Sequence, residues 1–257
     1  MSGRKFRSVV VPVVLCLAVG TVAARADIYM KQKSHTGSFT VMGKTQPEKD
    51  QTSVFWLGVN KARTDQEDGK SVIFLGDKGV LYMIDHNKKT YSEMPMDIGK
   101  AIDEAAGEQG KENQQAAEMM KGMMKGMMGE MNVKVTETAE TKTIGAWPCR
   151  KYLIDTKMYK TETHAEAWAT ESIKIDPKLY FTAMNAMMAS QPGFQEMVKE
   201  MQKVKGIVVY QVSTSKVMGS EVQTTTEVLE AGEKSAPAGT YDLPAGYTKV
   251  KGMKGMD

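Results

Sequence analysis

Histidine and cysteine are scarce in this chain, at three and two of 257 residues. The histidines, His35, His86 and His164, lie far apart in turn-like or strand-like sequence. No two of them stand at the i, i+4 spacing that puts two ligands on one helix face, so surface or packing roles are expected. A nucleophile elbow, a phosphate-binding loop and a zinc signature are also missing. Catalytic residues are therefore expected to be none, and so are resident cofactors and a metal set of the usual ligands. Of the two cysteines, Cys16 sits in the N-terminal apolar run and Cys149 stands alone after it. An exported protein stapled by disulfides carries an even number. Cys149 is expected to be a buried small hydrophobe, with intermolecular pairing and reactive chemistry as alternatives. After residue 22 no apolar run reaches the length of a membrane-spanning helix.

That N-terminal run has a purpose of its own. Arg4, Lys5 and Arg7 precede an apolar stretch, 9–22, interrupted by Pro12, and Ala24-Arg25-Ala26 follows it. A basic start, a short apolar segment and a small-x-small site describe a secretory signal peptide. Residues 1–26 are expected to be removed after Ala26, leaving a periplasmic chain that begins at Asp27. Leu15 before Cys16 argues against a lipid-anchored start. Losing Arg4, Lys5, Arg7 and Arg25 takes the formal charge from +3 to −1, so the basic character belongs to the leader. A nucleic-acid partner is not expected.

Methionine is what the chain has in excess, 22 residues in all. Through 118–131 it reads Glu-Met-Met-Lys-Gly-Met-Met-Lys-Gly-Met-Met-Gly-Glu-Met. At about 100° per residue, Met119, Met123, Met127 and Met131 form one row and Met120, Met124 and Met128 the next. Lys121, Lys125, Gly122, Gly126 and Gly129 fall on the back. Each interior glycine costs a helix roughly 1 kcal/mol against alanine, whereas each buried methionine contributes roughly 1.5–3 kcal/mol. Such a helix stands when its methionine face is covered. A second helical region repeats the pattern, with Met184, Met187 and Met188 at i, i+3, i+4 and Met197 and Met201 at i, i+4. Pro177 and Pro192 open its two segments, 178–189 and 193–203, as proline at a helix start is tolerated.

The rest reads as strands. Residues 27–35 alternate, and 51–57, 61–65, 71–75, 80–85 and 90–94 follow, separated by turn residues such as Asp68-Gly69 and His86-Asn87-Lys88-Lys89. Short strands with tight turns between them describe an antiparallel meander. Strand character returns at 133–138, 142–144, 149–158, 161–172, 204–214 and 221–230. The stretch 162–169 alternates polar with small or apolar residues, as a sheet with one wet face does. Trp56, Trp147 and Trp168 lie in or beside strands, where aromatics serve as core or cross-strand partners. Asp65, Glu67 and Asp68 read as a solvated acidic turn, and Arg63 as a structural arginine.

Several short stretches resemble a bacterial exported family catalogued as domain of unknown function 4412. They are Asp27-Ile28-Tyr29-Met30-Lys31-Gln32-Lys33, Trp56-Leu57-Gly58 with Ala62-Arg63-Thr64-Asp65, and Tyr82-Met83-Ile84-Asp85 with Lys89-Thr90-Tyr91. Ile144-Gly145 leading to Cys149-Arg150-Lys151-Tyr152, and Leu243-Pro244-Ala245-Gly246-Tyr247, belong with them. That family in turn resembles the periplasmic lipoprotein carriers and their outer-membrane receptors. The resemblance implies an incomplete antiparallel barrel around helices, with an apolar cavity between; it implies no cargo.

The expected fold is thus α+β: a single domain at 27–250, an antiparallel half-barrel of roughly ten strands covered by methionine-rich helices inserted near 97–131 and 177–203, with a frayed tail at 251–257. The leading expectation for function is a non-enzymatic periplasmic carrier of a lipid-like or lipoprotein acyl ligand. Its expected contacts are Met119, Met120, Met123, Met124, Met127, Met128, Met184, Met187, Met188 and Trp56. Two alternatives stand beside it. One is Cu(I) binding through Met119, Met123 and Met127, since thioethers suit soft metals. The other is an envelope scaffold whose methionine face docks a partner protein or rests on a membrane surface.

Overall fold

The computed structural model describes residues 26–41, 43–96, 119, 122, 131–158, 161–175, 194–217 and 219–250. Strands account for most of them. In chain order they are β1 (Asp27–Thr36), β2 (Phe39–Val41), β3 (Lys44–Gln46), β4 (Lys49–Gly58), β5 (Lys61–Gln66), β6 (Lys70–Leu75), β7 (Val80–Asp85) and β8 (Thr90–Pro95). Then come β9 (Met131–Ile144), β10 (Trp147–Met158), β11 (Thr161–Thr170), the helix α1 (Phe194–Met201), β12 (Ile207–Val217), β13 (Ser220–Lys234) and β14 (Thr248–Lys249).

Twelve of these strands form one open sheet in the order β14-β8-β7-β6-β5-β4-β1-β13-β12-β11-β10-β9, and β2 and β3 make a separate hairpin. Turn-linked neighbours pair antiparallel throughout the meander β4–β8. The N-terminal strand does not lie at an edge. It sits between β4 and β13 and joins the two halves of the sheet.

This architecture corrects the α+β expectation. Among the described residues the helical content is the eight-residue α1, a 3-10 turn at Gly76–Lys78 and the single helical positions Met119 and Gly122. The fold is nearly all β, and no methionine-rich helical cover over a barrel is seen among those residues. Met131, placed by periodicity at the end of the methionine helix, is instead the first residue of β9, opposite Met158 of β10. Ladder pairing outweighs helical periodicity there, as tertiary context commonly does. The stretches expected as 133–138 and 142–144 fuse into one 14-residue strand, absorbed by a bulge where the register shifts between Arg150 and Tyr152.

Packing explains where α1 lies. Ala165, Ala167 and Ala169 present only methyl groups from one face of β11, beside Tyr152 and Ile154 of β10 and Val135 of β9. Val204, just after α1, is buried in this cluster, and Met201 packs against it. Small residues on β11 leave room for helix side chains that larger ones would displace. A second cluster joins Cys149, Trp168, Val209 and Val228, flanked by Met30, Ile144 and Ile173. Cys149 is buried with a free thiol, as expected.

The C-terminal segment after β13 crosses the meander and is tied down at several points. Arg63 Nη1 donates to the Thr240 carbonyl at 3.0 Å, and Tyr241 Oη to Asp27 Oδ2 at 2.8 Å. Its end, β14, adds a short parallel strand to β8.

Candidate functional site

Two bulges shape the sheet beside α1. Between β1 and β13 the register slips at Lys31/Gln32, and between β11 and β12 at Trp168/Ala169. The second leaves Val209 as the extra residue; its side chain is 1% exposed. Bulges bend a strand and re-aim side chains. Beside these two, the sheet, α1 and the segment after β11 enclose a cavity of about 680 Å³. That volume is in the range of small-molecule sites.

Its walls are mainly apolar. Met30 comes from β1, Val228 from β13, Val208 and Val209 from β12, and Ile173 and Ile175 from the segment after β11. Met197 and Met201 of α1, the i, i+4 pair visible in the sequence, close one side. Gln32, Gln211 and Thr226 add uncharged polar groups, and among the described residues the exposed Glu171 and Lys174 are the charged ones that reach it.

Gly206, also in the wall, turns the chain from α1 into β12. Its φ is +88°, and a Cβ built there would lie 2.0 Å from the Thr170 carbonyl oxygen. Only glycine meets both demands.

The helix is fixed to the sheet by charge. Glu200 Oε2 accepts the Val135 backbone N–H at 2.9 Å, and Glu200 Oε1 accepts from Lys203 Nζ at 2.5 Å. Lys203 first and then the Val135 N–H hold the Glu200 carboxyl below its ordinary pKa.

Across the meander lies a second polar cluster. Arg63 Nε and Nη2 grip Asp65 at 2.7–2.8 Å, and Ser71 Oγ donates to Asp65 Oδ1 at 2.5 Å. Ser71 Oγ is 2.7 Å from His86 Nε2, and His86 Nδ1 is 2.9 Å from Tyr247 Oη. Ser71 has one proton and gives it to Asp65, so His86 Nε2–H donates to Ser71, and Nδ1 bonds the Tyr247 hydroxyl. The serine is thus oriented away from the role of a nucleophile activated by histidine, and it is 2% exposed. Chemically the cluster is a brace that locks the C-terminal segment onto β5–β7. Burial raises the Asp65 pKa, but the bonds from Arg63 and Ser71 outweigh it and the net shift is downward. Asp65 therefore belongs to a strand network and not to the solvated turn expected for it.

The residues expected to bind ligand are placed as follows. Trp56 is half-buried and packs its ring 4.9 Å from that of Tyr29. Its register partners Tyr29 and Arg63 share a face opposite the one that carries Met30, so Trp56 does not line the cavity. Met119 is exposed. Met120, Met123, Met124, Met127, Met128, Met184, Met187 and Met188 lie outside the described residues. The wall residues Val208, Val209 and Val228 were not singled out from sequence, where they read as ordinary strand residues. Among the described residues no cluster of three His, Cys, Asp or Glu side chains suits a metal ion. No described helix is long and apolar enough to cross a membrane.

No curated protein matches the chain. Solved structures that align with it include one titled "Structure of PNGF-II in C2 space group", at 12% identity and a TM-score of 0.34. That alignment covers 89% of this chain and 32% of the other, so the chain spans about a third of that structure's length. The family described as "Domain of unknown function (DUF4412)" matches residues 35–247, most of the length, and the chain belongs to that family.

Proposed function

We propose that this protein is a non-enzymatic periplasmic binding or carrier protein for a lipid-like or lipoprotein acyl ligand, held between the sheet and α1. The observation that carries this reading is the cavity of about 680 Å³ with Met30, Ile173, Met197, Met201, Val209 and Val228 in its walls. Each methylene moved from water into such a space contributes about 0.8 kcal/mol. Methionine walls suit a flexible chain because the unbranched thioether adapts to irregular contours. The signal-peptide pattern of the sequence up to Ala26, and its resemblance to periplasmic lipoprotein carriers, support the same reading. The ligand enters by displacing wall contacts, and α1, joined to β9 through Glu200, is the element that yields.

Native mass spectrometry of protein gently purified from an envelope fraction tests this. Adducts in methylene-spaced families are expected. A clean unliganded mass, together with failure to take up any added alkyl chain, contradicts it.

A further inference from the structure

One part of the cavity face is polar without being charged. The β1–β4 register sets Gln51 opposite Ser34, the β1–β13 register sets Ser34 opposite Thr226, and β12–β13 sets Thr226 opposite Gln211. In the next row Ser53 faces Gln32, which faces Val228. Directly opposed residues of antiparallel strands share a face. Gln32, Thr226 and Gln211 line the cavity, so all six of these hydroxyl and amide side chains lie on its side of the sheet. Lys33, His35 and Asp50 fall on the opposite parity, where they pair with one another. Lys49, opposite Thr36, and Glu233, opposite Ile28, share the row's parity at the strand ends, and neither lines the cavity.

The amides of this row are not consumed by the fold. Gln51 Nε2 is buried with no hydrogen-bond partner among the described residues. A buried unpaired donor costs stability, and native proteins rarely keep one without a use. The charged residues at the cavity, Glu171 and Lys174, are opposite in sign, three positions apart and exposed on the segment after β11. Neither lies in the row. A carboxylate or phosphate seated beside Gln32 and Gln211 would give up water with no cation to replace it among the described strand residues that line the cavity, which is costly. An uncharged carbonyl has the opposite balance, because it accepts from amides and loses little on leaving water.

We propose that Gln32 and Gln211, which line the cavity, together with Gln51 beyond them on the same face of β4, form a carbonyl-binding polar patch, the row, and that the occupant is an acyl chain joined through an ester or amide, not a free fatty acid. This rests on the carrier reading above and specifies which end of the ligand the protein recognises. The apolar wall holds the chain and the row selects the uncharged linkage beside it.

The test compares monododecanoylglycerol with dodecanoate at pH 8, each displacing a fluorescent alkyl probe from purified, lipid-stripped protein. The ester is expected to bind at least about tenfold tighter, the equivalent of one or two well-placed hydrogen bonds. In Gln32→Leu/Gln211→Leu the ester should weaken until the two ligands agree within about threefold. The single variant Gln51→Met is a milder probe: it should weaken ester binding while raising the unfolding midpoint, because an unsatisfied donor is gone. Equal or tighter binding of dodecanoate overturns the row's role, as does a preference that survives in the double variant. If neither ligand displaces the probe and the probe itself does not bind, the carrier reading has failed instead.

Discussion

Glu200 of α1 accepts the backbone N–H of Val135 on β9 at 2.9 Å. Among the described residues β9 is one of the two edge strands of the twelve-stranded sheet, and unpaired edge groups invite pairing with other chains. One carboxylate therefore does two things: it covers part of an open edge and seats the helix whose Met197 and Met201 wall the cavity. Glu200→Ala should lower the urea midpoint and increase light scattering on incubation, whereas Glu200→Gln, which keeps an acceptor oxygen, should retain most of both properties. Loss of neither property in the alanine variant contradicts this role.

Gly206→Ala should destabilise by about 2–3 kcal/mol or prevent folding, since it combines backbone strain with a steric clash. The positive φ and the 2.0 Å approach to the Thr170 carbonyl both act against it. Denaturant titration of the variant beside Gly219→Ala separates the two causes. Gly219 has a φ of +86° but open space around it, and should cost less.

Tyr152 is fully buried, and its hydroxyl accepts the Lys205 N–H at 3.2 Å. Tyr152→Phe should cost about 1 kcal/mol, the net worth of one hydrogen bond. Tyr152→Ala should cost about 3–5 kcal/mol through the cavity it leaves under α1. Thermal or urea unfolding reads both.

Acid sensitivity should trace to the brace. The Asp65 carboxyl is held below its ordinary value, so its contribution is complete above the unfolded aspartate pKa of about 3.9. That contribution fades as the pH falls through the lower folded value. Urea midpoints from pH 6 down to 2.5 should fall more steeply below about pH 4 in the native protein than in Asp65→Asn. Parallel slopes contradict the assignment.

Much of this fold is written locally. The meander strands were placed to within a residue or two because each is a short apolar run closed by turn residues, and α1 because Pro192 and the Met197/Met201 spacing bracket it. The hairpin β2–β3 was missed: three-residue strands such as Phe39–Val41 are too short to show a period. The cavity was harder still. Gln51, Ser34, Thr226 and Gln211 meet only because the first strand inserts between β4 and β13, a pairing over nearly the whole chain that no local pattern encodes. Trp56 shows the same limit from the other side. Its aromatic character drew attention, but parity in β4 turns it to the face away from Met30.

That parity makes Trp56 a control for the ligand site. Trp56→Ala should lower stability by about 1–3 kcal/mol through lost aromatic packing on Tyr29, with alkyl-probe affinity unchanged. Met197→Ala/Met201→Ala should do the reverse in emphasis, weakening the probe by about tenfold or more.

The most direct measurement is a titration of lipid-stripped protein with a fluorescent alkyl probe, native beside Val208→Trp. Val208 lines the cavity, and an indole there occupies the space meant for the chain. Saturable one-to-one binding by the native protein, weakened about tenfold or more in a variant that still unfolds cooperatively, is the predicted result. No binding by the native protein, or equal affinity in the two, contradicts the account.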